Sequence, residues 1–447
     1  MATQQTDFSQ GSVKRRILAQ ALPLTLAQAV QLLYNIVDRI YIGHLPGEGD
    51  LALTGLGITF PVIVLIAAFT SLFGTGGMTL FSIARGRRDE QEAERILGNV
   101  FALLAISAAV LFVLSYALRR PILFAFGASE LSFAYADAYL RIYLLGTAFS
   151  MFTTGLNGYI NAQGFPRIGM LTTVIGAALN VVLDPVFIFL LDMGVQGAAL
   201  ATVISQAVSA IWVLRFLTGK KAILRLKREA IHIDLRRTGR ICALGLPGFV
   251  VQGTNCLVQI LCNTQLQTYG GDLYVGIMTV IGSVREVISL PVMGISSGAQ
   301  PVLGFNYGAG EFGRVKEAIR FTSLIGFSYT MLMWILIMLI PHELMGIFSA
   351  EPQTIAIGAK MMNLYFFGFV FMAGQFSGQM VFQALGRAKR AIFFSLLRKV
   401  IIVAPLTLLL PALGLGVKGV FLAEPISNAV GGMACFLTMW FTQYRKL

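Results

Sequence analysis

Charge is what this sequence has least of. Only 12% of its 447 residues are Asp, Glu, Lys or Arg, against 56% hydrophobic. A soluble chain of this length needs far more charge to cover its surface. Histidine is scarce as well: His44, His232 and His342 fall in loops or at helix ends, which leaves no zinc or catalytic-histidine constellation. The four cysteines, Cys242, Cys256, Cys262 and Cys435, lie in apolar runs with neither metal-ligand spacing nor a disulfide framework. There is no Walker motif, so ATP is not expected to drive the protein directly. One GxGxxG match begins at Gly414, but it sits in a turn between apolar runs with no acid near position 439, and it is read as a false match. No nucleophile–base set occurs in the apolar runs, so an enzyme is not expected.

What the chain does have is long hydrophobic runs. Twelve of them, each about 20 residues or more and so able to cross a bilayer, lie near 17–42, 52–80, 96–118, 134–161, 168–191, 195–217, 240–268, 273–303, 318–341, 356–384, 390–411 and 417–441. The first run is too long for a signal-peptide core and is read as a retained helix. A net charge of +13 is in the range of nucleic-acid binders, but its distribution points elsewhere. With the N-terminus inside, 25 of the 34 Lys and Arg lie in cytoplasmic segments and 5 in external ones. That is the positive-inside pattern. It predicts a multi-pass membrane protein with both termini cytoplasmic, whose partners are the lipid bilayer and small molecules and not nucleic acid.

The chain also repeats itself. Asp192–Ser205 runs parallel to Gly414–Ser427, with seven of fourteen positions identical at a spacing of 222. Leu22-Pro23 meets Leu246-Pro247 at 224, while Gln163, Arg167 and Pro185 meet Gln383, Arg387 and Pro405 at 220. Six helices per copy is an even number, so both copies enter the membrane in the same direction. The expectation is an all-α membrane protein of 12 transmembrane helices: two homologous six-helix bundles with pseudo-twofold symmetry along the membrane normal. The lobes are placed at 1–217 and 240–447, with 218–239 as a basic cytoplasmic linker.

Polar residues inside such spans need a reason to be there, since a central charge costs about 2.5–3.5 kcal/mol on insertion scales. The first span carries Gln28, Gln31, Asn35 and Asp38 on one helical face, the fifth carries Asn180 and Asp184 one turn apart, and the sixth carries Thr202. Counted from the external helix ends, Asp38, Asp184 and Thr202 share one depth. Two carboxylates, an amide and a hydroxyl suit Na⁺, with Asp38, Asn180, Asp184 and Thr202 as the metal ligands. Equally, the carboxylates can exchange a proton. The plainer alternative is that Asp38 pairs with Arg39 or another base and only holds helices together. In the second copy Asp38 becomes Cys262, Asn180 and Asp184 become Val400 and Ala404, and Thr202 becomes Glu424. That copy instead carries Arg285, Glu286, Arg398 and Lys399 inside its spans. Glu286, Glu424 and Arg398 are read either as a buried ion-pair network or as a cavity wall facing cationic substrates.

Tyr34–His44 in the first span, Gln300–Gly310 after the eighth and Gln383–Lys389 together resemble the multidrug and toxic compound extrusion (MATE) family, most of all a bacterial MepA-like branch. The resemblance covers essentially residues 12–445. It implies a secondary-active antiporter that exports cationic or amphiphilic drugs and biocides in exchange for H⁺ or Na⁺ by alternating access. Asp38, Asn180, Asp184 and Thr202 match the family's N-lobe cation site. The expected substrate cavity is lined by Gln31, Tyr34, Asn35, Gln252, Asn255, Gln259, Glu286, Arg398 and Glu424. Apart from the coupling ion no cofactor is implied, and a monomer is expected. Helices 7 and 10 offer no acid here, unlike some members, which puts a C-lobe cation mechanism in doubt. A lipid-linked saccharide flippase on a related scaffold and a channel are the competing readings.

Overall fold

A computed structural model describes residues 8–43, 45, 49–126, 128, 130–347 and 352–447, and no strand occurs among them. The first half folds as α1 (Val13–Gly43), α2 (Gly49–Gly86), α3 (Glu90–Ala117), α4 (Arg119–Ala125), α5 (Glu130–Leu145), α6 (Thr147–Ala162), α7 (Pro166–Pro185) and α8 (Gly194–Thr218). The second follows the same plan: α9 (Leu235–Gly270), α10 (Asp272–Gly308), α11 (Phe312–Leu339), α12 (Pro341–Gly346), α13 (Pro352–Phe366) and α14 (Met372–Ala384). It ends with α15 (Ala388–Leu396), α16 (Ala404–Leu410), α17 (Val417–Ser427) and α18 (Met433–Met439), which π turns join into two long spans, one of these turns being Leu397–Val403.

Ten helical stretches are long and apolar enough to cross a membrane, and the bent pair α13–α14 supplies an eleventh. The twelfth is α5–α6, which starts 222 residues before that pair. Its apolar signal is weakened by Asp137, which bridges Arg119 at 2.7 Å and Arg141 at 2.6 Å. Both pairs break at a glycine for one reason. A Cβ on Gly146 would strike Val203, and one on Gly368 would strike Pro425, so only glycine lets these breaks sit against the last span of each half. The result is twelve transmembrane helices in two homologous six-helix bundles.

The backbone carries the duplication more plainly than the side chains do. Left-handed φ angles occur at Arg88 and Gly310, Gly164 and Gly386, Asp192 and Gly414, and Gly194 and Gly416, each pair 222 residues apart. Such angles are costly for most residues and mark tight chain reversals. The constant interval corrects one expected correspondence. Gly164/Gly386 and Asp192/Gly414 bracket the fifth and eleventh spans, so Asn180 and Asp184 stand opposite Ile402 and Leu406 rather than Val400 and Ala404. Likewise Gln163 and Arg167 meet Leu385 and Lys389, and the match of Pro185 to Pro405 is a coincidence of composition.

The chain divides into two compact units: Met1–Phe8 with Leu22–Gln252, and Ser9–Ala21 with Gly253–Leu447. The opening helix of each half is therefore divided between units close to a proline, Pro23 in α1 and Pro247 in α9. The segment 218–239 belongs to the first unit and is fastened there. Ala222, Leu224 and Leu226 are buried at alternate positions, and Leu224 N–H donates to Gln163 Oε1 at 3.0 Å. Lys227 bridges Glu94 at 2.6 Å, and Arg237 reaches Glu92 at 2.9 Å. Asp234 caps α9 by accepting the Arg237 backbone N–H at 2.9 Å. That hydrogen bond, with the Arg237 charge, holds its carboxyl below the usual range.

Candidate functional site

In the first unit four helices bring their polar faces to one place. α1 contributes Tyr34 and Asp38, α5 Tyr139 and Tyr143, α7 Asn180 and Asp184, and α8 Thr202 and Gln206. Asp184 is fully buried, and Asn180, Thr202 and Asp38 are 1%, 3% and 8% exposed. The Asn180 amide donates to the Thr202 hydroxyl at 3.3 Å. That bond fixes the amide orientation and leaves its Oδ1 buried without a hydrogen-bond partner, as are both Asp184 carboxylate oxygens. No ion pair involves Asp184 among the described residues; Asp38 and Asn180 are its electrostatic neighbours. Thr202 also lies beside Tyr34 and Tyr139, and Tyr143 beside Gln206. Asp184 directly precedes Pro185 and the π turn Val186–Leu190. Such turns widen the helix, and they are frequent at working sites.

Buried oxygens left without donors in an apolar span are expensive. A cation or a shared proton removes that cost, because hard cations are held by carboxylate, carbonyl and hydroxyl oxygens. Among the described residues no group of three His, Cys, Asp or Glu could hold a metal. Two acids with an amide and a hydroxyl can chemically take a small monovalent cation or a proton. The structure brings together Asp38, Asn180, Asp184 and Thr202, the four residues that the spacing argument named. Tyr139 and Tyr143 were not singled out from sequence. Their signal is weak, since they lie in the least apolar span, although Tyr143 has Tyr365 exactly one repeat later.

The equivalent place in the second unit is built with the opposite charge. Cys262, standing where Asp38 stands, is in electrostatic reach of Glu424, Lys399 and Arg285. Glu424 on α17 accepts Arg398 at 2.8 Å, Lys399 at 3.2 Å and Arg285 at 3.4 Å. Arg285 on α10 also donates to the Tyr365 hydroxyl of α13 at 2.7 Å. Arg398 and Lys399 are consecutive, and on an ordinary helix their side chains would diverge by about 100°. Both lie in the π turn Leu397–Val403, whose wider winding lets the two reach one carboxylate. Glu424 therefore stands in an ion-pair network.

Glu286 is not part of that network: it is exposed on α10, while its neighbour Arg285 turns inward. Of the other expected cavity residues, Gln31 and Gln259 are exposed, and Gln252 and Asn255 are half-buried. Gln259 hydrogen-bonds Asn263 at 3.1 Å. Gln252 falls in the first unit, and Asn255 and Gln259 fall in the second. The side chains of Asn35 and Arg39, and all of His44, lie outside the described residues.

A family model described as MatE matches the chain twice, over residues 23–186 and 247–409. Curated relatives include the multidrug export protein MepA of Staphylococcus aureus (strain MSSA476), 24% identical over 445 residues and covering 98% of this chain and 96% of the relative. The MepA of Staphylococcus haemolyticus (strain JCSC1435) is 24% identical over 441 residues, covering 97% and 94%. Among solved structures, a multidrug resistance MATE family transporter in its outward-facing conformation matches with a TM-score of 0.92 at 23% identity, over 100% of both chains. A MATE structure in complex with MaL6 matches equally well, with TM-score 0.92 and 23% identity over 100% of both chains.

Proposed function

This chain belongs to the MatE family of multidrug efflux transporters, and from that premise we propose that it is an antiporter that exports cationic or amphiphilic organic compounds, drugs and biocides among them, in exchange for H⁺ or Na⁺. The observation that carries the reading is the set of buried, partnerless oxygens on Asp184 and Asn180. The relatives' description as multidrug export proteins supports the substrate class. We place the protein in the bacterial plasma membrane with both termini cytoplasmic, on the charge bias of its loops.

A coupling ion must bind differently in the two access states, because a ligand with equal affinity for both shifts nothing. In this reading an ion or proton at Asp38 and Asp184 neutralises a like-charged pair. Their helices then tolerate a drier, closer arrangement, with Pro185 and the adjoining π turn as the point of bending. Loss of the ion restores repulsion and hydration and favours the other state.

The deciding experiment follows efflux of a cationic dye from proteoliposomes while the pH and Na⁺ gradients are dissipated one at a time. Collapse of efflux with one gradient identifies the coupling ion. Efflux indifferent to both overturns antiport, and ion flux without dye movement points to a channel. For orientation, single cysteines at Asp192 and Gly271 are expected to label from outside intact cells; labelling only after permeabilisation would reverse the topology.

A further inference from the structure

The cluster around Glu424 holds more positive charge than it neutralises. Arg285, Arg398 and Lys399 share one carboxylate, so basic groups outnumber the acid within the spans of a membrane protein. Charge retained there without balance marks a site for something that supplies the balance. Glu286 does not supply it, since it is exposed and makes no ion pair with the cluster. Arg398 is 8% exposed, and its Nε is buried without a hydrogen-bond partner.

The twofold frame does not demand these cations. One repeat earlier the same positions are Ile63, Gly176 and Ala177, and the first unit folds without a charge there. Nor are the three equally enclosed: the side chains of Arg398 and Lys399 are 10% and 9% exposed, whereas that of Arg285 is 33% exposed. Arg285 also makes the longest contact to Glu424, at 3.4 Å, while Tyr365 steadies its guanidinium at 2.7 Å. A planar guanidinium held from one side and open on the other is suited to a carboxylate, sulfonate or phosphate ester.

We propose that this cluster binds an anionic group of the exported compound, with Arg285 at the mouth and Arg398 and Lys399 behind it. The preferred cargo then carries an anionic group beside its aromatic or cationic body. The inference rests on the exporter reading, and it moves the second unit's contribution from cation recognition to anion recognition.

The probes are two rhodamine dyes that differ only in a free carboxylate on one and its methyl ester on the other. Their binding is measured by fluorescence polarisation on the purified protein in phosphatidylcholine nanodiscs, with no ion gradient. Arg285→Gln is expected to weaken the carboxylate dye about tenfold, to change the ester less than about twofold, and Arg285→Lys to fall between. Ester binding doubles as the check that each variant is folded. An equal loss for both dyes, or no loss for the carboxylate dye, overturns the proposal and leaves the cluster a structural ion pair. A drop in carboxylate-dye affinity when phosphatidylglycerol is added, seen in the native protein but not in Arg285→Gln, assigns the site to a lipid headgroup and also overturns it. Failure of the exporter reading looks different: the binding contrast persists, but neither dye moves under a gradient.

Discussion

The two halves treat a buried carboxylate in opposite ways. Asp184 has no hydrogen-bond donor and no ion-paired cation among the described residues, while Glu424 has three cations around it. The first arrangement leaves its carboxylate oxygens without a hydrogen-bond partner. The second is complete on the acid side and in excess on the basic side. A shared backbone thus does not fix a shared electrostatic role; a handful of side chains on equivalent turns decides which sign of charge each half attracts.

The contrast breaks most sharply at Asp184. Asp184→Asn keeps the shape and removes the charge to which the antiport proposal assigns coupling. Gradient-driven dye export is expected to fall at least about a hundredfold, while equilibrium dye binding survives; export at the normal rate by the folded variant would place coupling elsewhere. Glu424→Gln is the matching test in the other half. Removing the one carboxylate shared by two buried basic groups and the partly exposed Arg285 is expected to cost about 3–5 kcal/mol of stability, read as a lowered thermal midpoint in detergent, with ion coupling retained in the folded fraction. Adding Lys399→Met should return part of that loss.

A finer comparison uses the tyrosines that stand one repeat apart. Tyr365→Phe loses a hydrogen bond to a charged group and should cost about 1.5 kcal/mol, whereas Tyr143→Phe, beside the neutral Gln206, should cost about 0.5–1 kcal/mol; equal costs would say that the charge difference does not reach these hydroxyls. The smallest effect belongs to the segment between the halves. Glu92→Gln weakens the tie to Arg237 and is expected to cost about 1 kcal/mol or less, seen as faster hydrogen exchange over residues 222–234. The Asp234 cap adds a pH signature. Its folded pKa is depressed, so its contribution is present above the ordinary carboxylate range and is lost as pH falls through the lowered value. Protection of this segment should therefore hold at neutral pH and weaken only below about pH 4.

Much of this was legible in the sequence. Apolar run length revealed the spans, and spacings of three and four placed Asp38, Asn180 and Asp184 on inward faces. Where the reading slipped, local coincidence competed with a longer order: Pro185 and Pro405 suggested an offset of 220, while the turns that bracket them keep 222. The fourth span hid Tyr139 and Tyr143 because Asp137 and Arg141 dilute its hydropathy. The partners of Glu424 were visible as charges but not as a set. Whether Arg398 and Lys399 can share one acid depends on a π turn, which leaves no composition signature.

The regular interval between the left-handed turns also bears on how the two copies differ. No residue has been gained or lost, on balance, between successive turns of one copy relative to the other. Between Gly164 and Asp192, and between Gly386 and Gly414, the two copies have equal length, so Asp184 in one and Arg398 and Lys399 in the other differ from their counterparts by substitution alone.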